Sequence, residues 1–259
     1  MTNPGTGHRV CRKTGMVITI LGLCSAVFVL SSVLAPACEA GQPVNKRFVY
    51  YIYWAGIRAG TAVMDYESTP EGVVIKTHAT SASIIALFYK VDDTAESILY
   101  PDGYPKKFTL KVRQGRHKRD KVTYFEKKAD GKPQKIIFHN VRDEVIEEFF
   151  FDRPAYDPLS AFYEMTKWDL TIGKSTYIDI FDNKKLWNTE VQVLRKEKVR
   201  VLAGEFDTIV VKPIMQSEGI FPKTGDITIW ATDDDRKLPV LLKSKAIIGH
   251  FSAVLAEEK

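Results

Sequence analysis

Apolar and polar residues alternate with period two through most of the chain after Lys46. The pattern is cleanest at Lys107–Arg113, where Phe108, Leu110 and Val112 interleave with Lys107, Thr109, Lys111 and Arg113. A strand with one face on a core and the other in water produces this alternation. Comparable runs occupy residues 72–80, 93–100, 120–126, 134–139, 177–181, 186–194, 198–202, 206–213, 226–232, 238–245 and 249–255. Turn chemistry separates them at Pro101-Asp102-Gly103, Asp130-Gly131, Asp182-Asn183 and Thr224-Gly225-Asp226. So many short strands predict a mainly β protein, an antiparallel curved sheet that is barrel-like or a sandwich, with one or two short helices.

The stretch Phe48–Trp54 carries bulk on both faces, with Phe48, Tyr50, Ile52 and Trp54 on one and Val49, Tyr51 and Tyr53 on the other. It reads as a central strand covered on both sides, or one that lines a cavity. One helix is marked by Asp157 as N-cap, Pro158 at the first helical position and an apolar stripe of Leu159, Phe162 and Tyr163. Its end is expected by Trp168 or Leu170, with Gly173 beyond. A shorter helix is expected over Ser83–Tyr89, with Ile84, Leu87 and Phe88 facing inward.

The N-terminus breaks from this pattern. Arg9, Arg12 and Lys13 precede an uncharged run from Thr14 to Cys38, apolar from Val17 to Leu34 and followed by small residues around Ala35-Pro36-Ala37. A basic stretch, an apolar stretch and an A-x-A-like end are the layout of a secretory leader. Three fates fit: a cleaved signal, lipid attachment at Cys38, or a retained membrane anchor, since the run approaches the ~20 residues that span a bilayer. Residues 1–40 are therefore expected to direct export or anchor the chain, and residues 41–259 to form a single β-rich envelope domain in the periplasm or associated with the envelope. Cys11, Cys24 and Cys38 are the only cysteines, so the β region carries neither thiol nor disulfide.

Charge and motifs exclude more than they identify. The net charge is +5, of which Arg9, Arg12, Lys13 and Glu39 supply +2, leaving a balance too mild for a nucleic-acid partner. His78, His117, His139 and His250 are widely spaced and form no metal-binding motif, so no metal site and no cofactor is expected. The G-x-S-x-G of a serine hydrolase is absent. Gly173-Lys174-Ser175 lacks the preceding glycine of a phosphate loop, with Trp168 in its place. Asp233-Asp234-Asp235 lacks the alternation of a calcium loop.

Four segments appear in this order: Tyr53-Trp54-Ala55-Gly56-Ile57-Arg58-Ala59-Gly60, Asp157-Pro158-Leu159-Ser160-Ala161-Phe162-Tyr163, Ala203-Gly204-Glu205-Phe206, and Trp230 through Asp235-Arg236-Lys237-Leu238-Pro239-Val240. In sequence and spacing, the chain resembles the exported bacterial family catalogued as domain of unknown function 3108, over about Phe48 to Leu255. The resemblance implies an envelope location and a β-rich fold. It implies no activity, and no catalytic residue is transferred. The quoted residues carry structural chemistry: Gly56 and Gly60 suit a bend or a close backbone approach, and Asp157 suits a cap.

Two features point to binding. Tyr50, Ile52, Trp54, Met64 and Phe108 are placed to face the inside of a curved sheet, where they either line an apolar ligand site or fill their own core. Residues 106–128 carry ten Lys or Arg against Asp120 and Glu126. Lys111, Arg113, Arg116, Lys118 and Arg119 of this basic hairpin are candidates for meeting an anionic surface, unless Asp143, Glu144, Glu147 and Glu148 balance them. The expectation is a non-enzymatic envelope protein that binds a hydrophobic or anionic component such as lipid. The alternatives are a factor that binds another envelope protein and, third, a hydrolase with a spatially assembled site. Membrane association is expected through the N-terminal segment or Cys38.

Overall fold

A computed structural model describes residues 44–215, 226–246 and 249–259. The expected N-terminal leader with Cys38, and the expected turn at Thr224-Gly225, lie outside the described residues. In chain order the elements are β1 (Val44–Trp54), β2 (Ile57–Thr69), β3 (Gly72–Ser81), α1 (Ser83–Ala86), β4 (Asp92–Leu99), β5 (Pro105–Gln114), β6 (His117–Phe125), β7 (Gln134–Asn140) and β8 (Val145–Phe151). They continue as α2 (Pro158–Met165), β9 (Ser175–Asp182), β10 (Lys185–Val201), β11 (Gly204–Met215), β12 (Asp226–Thr232), β13 (Pro239–Ala246) and β14 (Gly249–Glu258).

All fourteen strands belong to one antiparallel sheet, ordered β8-β7-β6-β5-β4-β3-β2-β1-β14-β13-β12-β11-β10-β9. Two meanders, β1 to β8 and β9 to β14, are joined where β1 pairs with β14. A single curved sheet resolves the choice between barrel-like and sandwich in favour of the former. The sheet curls until its two edges face each other, and Phe181 of β9 lies 5.1 Å from Phe149 of β8 and 6.4 Å from Phe125 of β6, between ring centroids. Lys121 donates to Asn183 across the same seam at 2.7 Å. No ladder joins β8 to β9, so the sheet stays open. The segment before α2 bridges part of the gap: Tyr156 pairs in parallel with Ile180, and Arg153 reaches Asp179 at 2.9 Å.

Helix α2 lies inside the curl. Asp157 caps it, accepting from the amides of Leu159 (2.9 Å) and Ser160 (3.0 Å), while Ser160 Oγ accepts from the Asp157 amide at 2.9 Å. This reciprocal capping box satisfies amides that would otherwise be orphaned in the interior. The second carboxylate oxygen accepts from Ser97 Oγ of β4 at 2.7 Å, tying the helix start to the sheet. Ala161 and Met165 pack against Ile178, Val191, Ile209 and Val211. The expected stripe of Leu159, Phe162 and Tyr163 is half-buried; Leu159 and Tyr163 face the other half of the sheet, while Phe162 packs against the same cluster as Ala161 and Met165. The helix is thus covered on two sides, and it ends at Met165, earlier than the sequence suggested.

Three further differences from the sequence reading have physical reasons. Residues 186–194 and 198–202 form one strand, β10, because a bulge near Leu194 absorbs the break in alternation. Strands β2 and β8 lie where no clean alternation announced them; β8 reads VIEEFFF and is only half-covered at the sheet edge. The largest correction concerns α1. It has only four residues, and Ile84, Leu87 and Phe88 point to solvent, not inward. A helix ending at Ala86 never completes the turn that would gather those side chains onto one buried face.

Burial raises the pKa of Asp157, against the opposing pull of its hydrogen bonds to Ser97 and Ser160. A carboxyl with a raised folded-state pKa contributes most below its unfolded value of about 4, and that contribution is lost as pH rises through the folded pKa. Asp157→Ala is expected to cost about 2–3 kcal/mol, from a lost cap and an orphaned Ser97 hydroxyl. Asp157→Asn keeps an acceptor for the amides, should cost less, and should flatten the decline in stability between acid and neutral pH. Urea unfolding of the three proteins at both pH values checks this.

Candidate functional site

The inward side chains of β1 form an unbroken file: Lys46, Phe48, Tyr50, Ile52 and Trp54. Three cavities follow this file from one end of the sheet to the other. The first, about 450 Å³, lies between Phe48, Met64, Tyr66 and Ile75 of the sheet and Phe162 and Tyr163 of α2. Lys46 and Arg236 stand at its mouth. The second, about 240 Å³, is bounded by Tyr50, Ala62, Met64, Leu159, Phe162 and Ala253. The third, about 560 Å³, opens at the opposite rim among Ile52, Trp54, Gly60, Ala79, Ile85 and Phe251. Successive cavities share residues or use the next inward position on β1, β2, β3 and β14. The first two share Met64, Phe162 and Pro239, and the third begins at the next inward positions without sharing a residue with them. Together they line a groove along the β1 file, which spans about 27 Å at the ~3.4 Å rise of an antiparallel strand.

Small residues make the space. Gly60, Ala62, Ala79 and Ala253 occupy inward positions where larger side chains would meet. Gly60 is required twice over, because a Cβ there would overlap the carbonyl oxygen of Thr80 on the neighbouring strand. The floor is rigid. Tyr50 is buried and donates to the Pro239 carbonyl at 2.9 Å, with burial raising its phenol pKa. Burial, together with a hydrogen bond to Tyr163, pushes the Tyr66 phenol up to about 12. Both phenols stay neutral, and the walls are aromatic and aliphatic. Such walls suit hydrocarbon, and the polar side chains of the first cavity, Lys46, Ser68, Thr166, Asp235, Arg236 and Lys237, complete its lining. Among the described residues no group of three His, Asp or Glu side chains could hold a metal ion.

Of the five apolar candidates, Tyr50, Ile52, Trp54 and Met64 line the groove. Trp54 stacks on Phe251, with ring centroids 6.3 Å apart, at the open rim. Phe108 is elsewhere. It is buried with Phe125, Ile136, Phe138 and Phe181 under the seam, because β5 lies across the curl from β1. The residues the sequence reading missed are the small ones and the helix wall: Gly60, Ala62, Ala79, Ala253 and Phe162.

The basic hairpin separates into two kinds of residue. Arg113 donates to Asp120 at 2.6 Å and to the carbonyls of Val112 and Arg119, so it braces the β5–β6 hairpin. Lys111, Arg116, Lys118 and Arg119 are exposed, and none forms an ion pair with another described residue. Glu147 and Glu148, offered as balancing charges, pair with Lys184 (2.5 Å) and Lys135 (2.7 Å) instead. Arg113→Ala is expected to lower stability by about 1 kcal/mol, since it leaves a mostly buried Asp120 carboxylate only the more distant Arg142 at 3.9 Å. Arg116→Ala and Lys118→Ala should each change it by less than about 0.5 kcal/mol. Thermal unfolding of the three variants distinguishes bracing from free charge.

A family model described as "Protein of unknown function (DUF3108)" matches residues 49–256. Among solved structures, a β-barrel-like protein of domain of unknown function DUF1849 from Brucella abortus superposes with a TM-score of 0.60. It is 12% identical, over 83% of this chain and 97% of that one, which is a likeness of fold. A proposed lipoprotein from Parabacteroides distasonis matches at TM-score 0.34 and 14% identity, over 83% of this chain and 95% of its own. No curated protein matches.

Proposed function

The chain belongs to the DUF3108 family of unknown function, and from the groove we propose that it is an exported, non-enzymatic binder of an acyl-chain lipid of the bacterial envelope. The observation that carries this reading is the single file of inward side chains on β1, flanked from end to end by apolar cavities. Its length of about 27 Å exceeds the ~15 Å of one bilayer leaflet, so a full acyl chain fits lengthwise. Lys46 at one end, beside an Arg236 already held by Asp234 (2.9 Å) and Glu258 (3.2 Å), and an apolar opening at the other suit an amphiphile. The secretory layout of the first forty residues supports placement outside the cytoplasm. Among the described residues no helix is long and apolar enough to cross a membrane. A second reading, a protein partner adding a strand to β8, is favoured by the exposure of Ile146 and Phe150 on that open edge and opposed by the charges of Glu147 and Glu148 beside them.

Native mass spectrometry of gently purified protein should show bound lipid, and a fluorescent long-chain fatty acid should bind the delipidated protein. Ala79→Trp fills the wide cavity and should weaken that binding about tenfold or more, the equivalent of two displaced methylenes at ~0.8 kcal/mol each. Protein that emerges lipid-free and ignores the fatty acid would sink the proposal.

A further inference from the structure

The rim where the wide cavity opens is built from three neighbouring hairpin connections. The β1–β2 turn presents Ile57, the β3–β4 connection with α1 presents Ile84, Leu87 and Phe88, and the β5–β6 turn presents Arg116. They are physically linked: the Ala82 amide donates to Ala59 O at 2.7 Å and the Gly115 amide to Lys90 O at 2.8 Å. Ile57, Ile84, Leu87 and Phe88 are 66%, 73%, 80% and 87% exposed. That is an uncommon arrangement of large apolar side chains around one opening, and such patches mark contact with a membrane or a partner.

The surrounding charge selects between those two. Arg58 and Lys90 adjoin the apolar tips in sequence, and Arg116, Lys118 and Arg119 stand on the next hairpin. Acids on the same strands have other partners: Asp92 with His78 at 2.8 Å, Asp93 with the Arg113 amide and Gln114, and Asp120 with Arg113. Arg58 stacks over the Tyr51 ring at 3.5 Å, while Arg116, Lys118 and Arg119 form no ion pair with another described residue. Protruding aliphatic and aromatic tips beside such cations match an interface of acyl chains beneath anionic headgroups.

We propose that this rim docks onto an anionic phospholipid bilayer, inserting Ile57, Ile84, Leu87 and Phe88 so that the groove opens directly onto the acyl region. The inference extends the lipid-binding reading by giving the ligand its route of entry. A probe at Phe88 reports on the rim itself, apart from any contact of the N-terminal segment with the vesicles.

The test uses the whole protein and vesicles of phosphatidylethanolamine with or without phosphatidylglycerol. In Phe88→Trp, the added tryptophan should shift to shorter wavelength on phosphatidylglycerol vesicles and be quenched by brominated acyl chains, relative to wild type. Leu87→Ser with Phe88→Ser should weaken vesicle binding about a hundredfold. Charge reversal at Arg116, Lys118 and Arg119 should weaken it about tenfold at low salt and little at high salt. An unshifted, unquenched Phe88→Trp overturns docking. So does a Ser variant that binds vesicles as wild type does, or one whose only loss is a crosslink to another protein. The fatty-acid assay runs beside it: wild-type protein that binds the fatty acid but no vesicles indicts the docking alone, while vesicle binding without any fatty-acid binding indicts the groove alone.

Discussion

Fourteen strands in one open sheet leave a concave face that cannot remain bare, and the fold depends on how α2 covers it. A helix set inside a β curl brings free amides into a place without water, and Asp157 answers them. It is fully buried, it closes the capping box with Ser160, and it holds Ser97 of β4. The carboxyl carries a desolvation cost offset by bonds to groups that would otherwise be stranded. Because the helix start is fixed to β4, both long sides of α2 are committed: Ala161 and Met165 to the β9–β12 half, Leu159 and Tyr163 to the β3–β5 half.

The groove is what this arrangement leaves over. Phe162 and Tyr163 roof the β1–β2–β3 strands at one end, whereas toward the opposite rim the helix has run out and small residues line the sheet. Space widens where cover is thin. The rigidity of the floor follows from its anchors, since Tyr50 is tied to Pro239 and the Gly60 backbone is pressed against Thr80. A lipid would therefore meet a preformed slot, and would lose less to ordering the protein than in a floppy site.

Much of the sheet was legible because alternation is a local signal: Phe108, Leu110 and Val112 declare a strand without reference to anything distant. Asp157-Pro158 likewise announced its helix through local capping chemistry. The site was harder. Phe48, Tyr50, Ile52 and Trp54 advertised an inward file, but whether a file lines space or packing depends on what stands opposite, and Gly60, Ala62 and Ala79 carry no hydrophobic signal. Phe108 shows the same limit, for its pattern is indistinguishable from that of β1 while its place in the curl is across the seam. The stripe Ile84, Leu87, Phe88 failed more instructively. Helical spacing tells which side chains travel together, not whether they travel toward the core, and a helix of four residues between two strands has no core to face.

The ladder between β1 and β14 closes the middle of the sheet using residues from opposite ends of the described chain, with Phe48 beside Glu258 and Trp54 beside Phe251. Every other neighbouring pair of strands is consecutive in sequence. A chain emerging from its N-terminus can thus zip β1 to β8 as a meander of local hairpins, yet one edge of β1 stays unpaired until the last strand arrives. That contact carries the largest loop-closure cost of the ladder pairings, because its residues are the most distant in sequence. In the interval, an eleven-residue strand rich in tyrosine lies open along one side, a length that would need shielding from other unfinished copies.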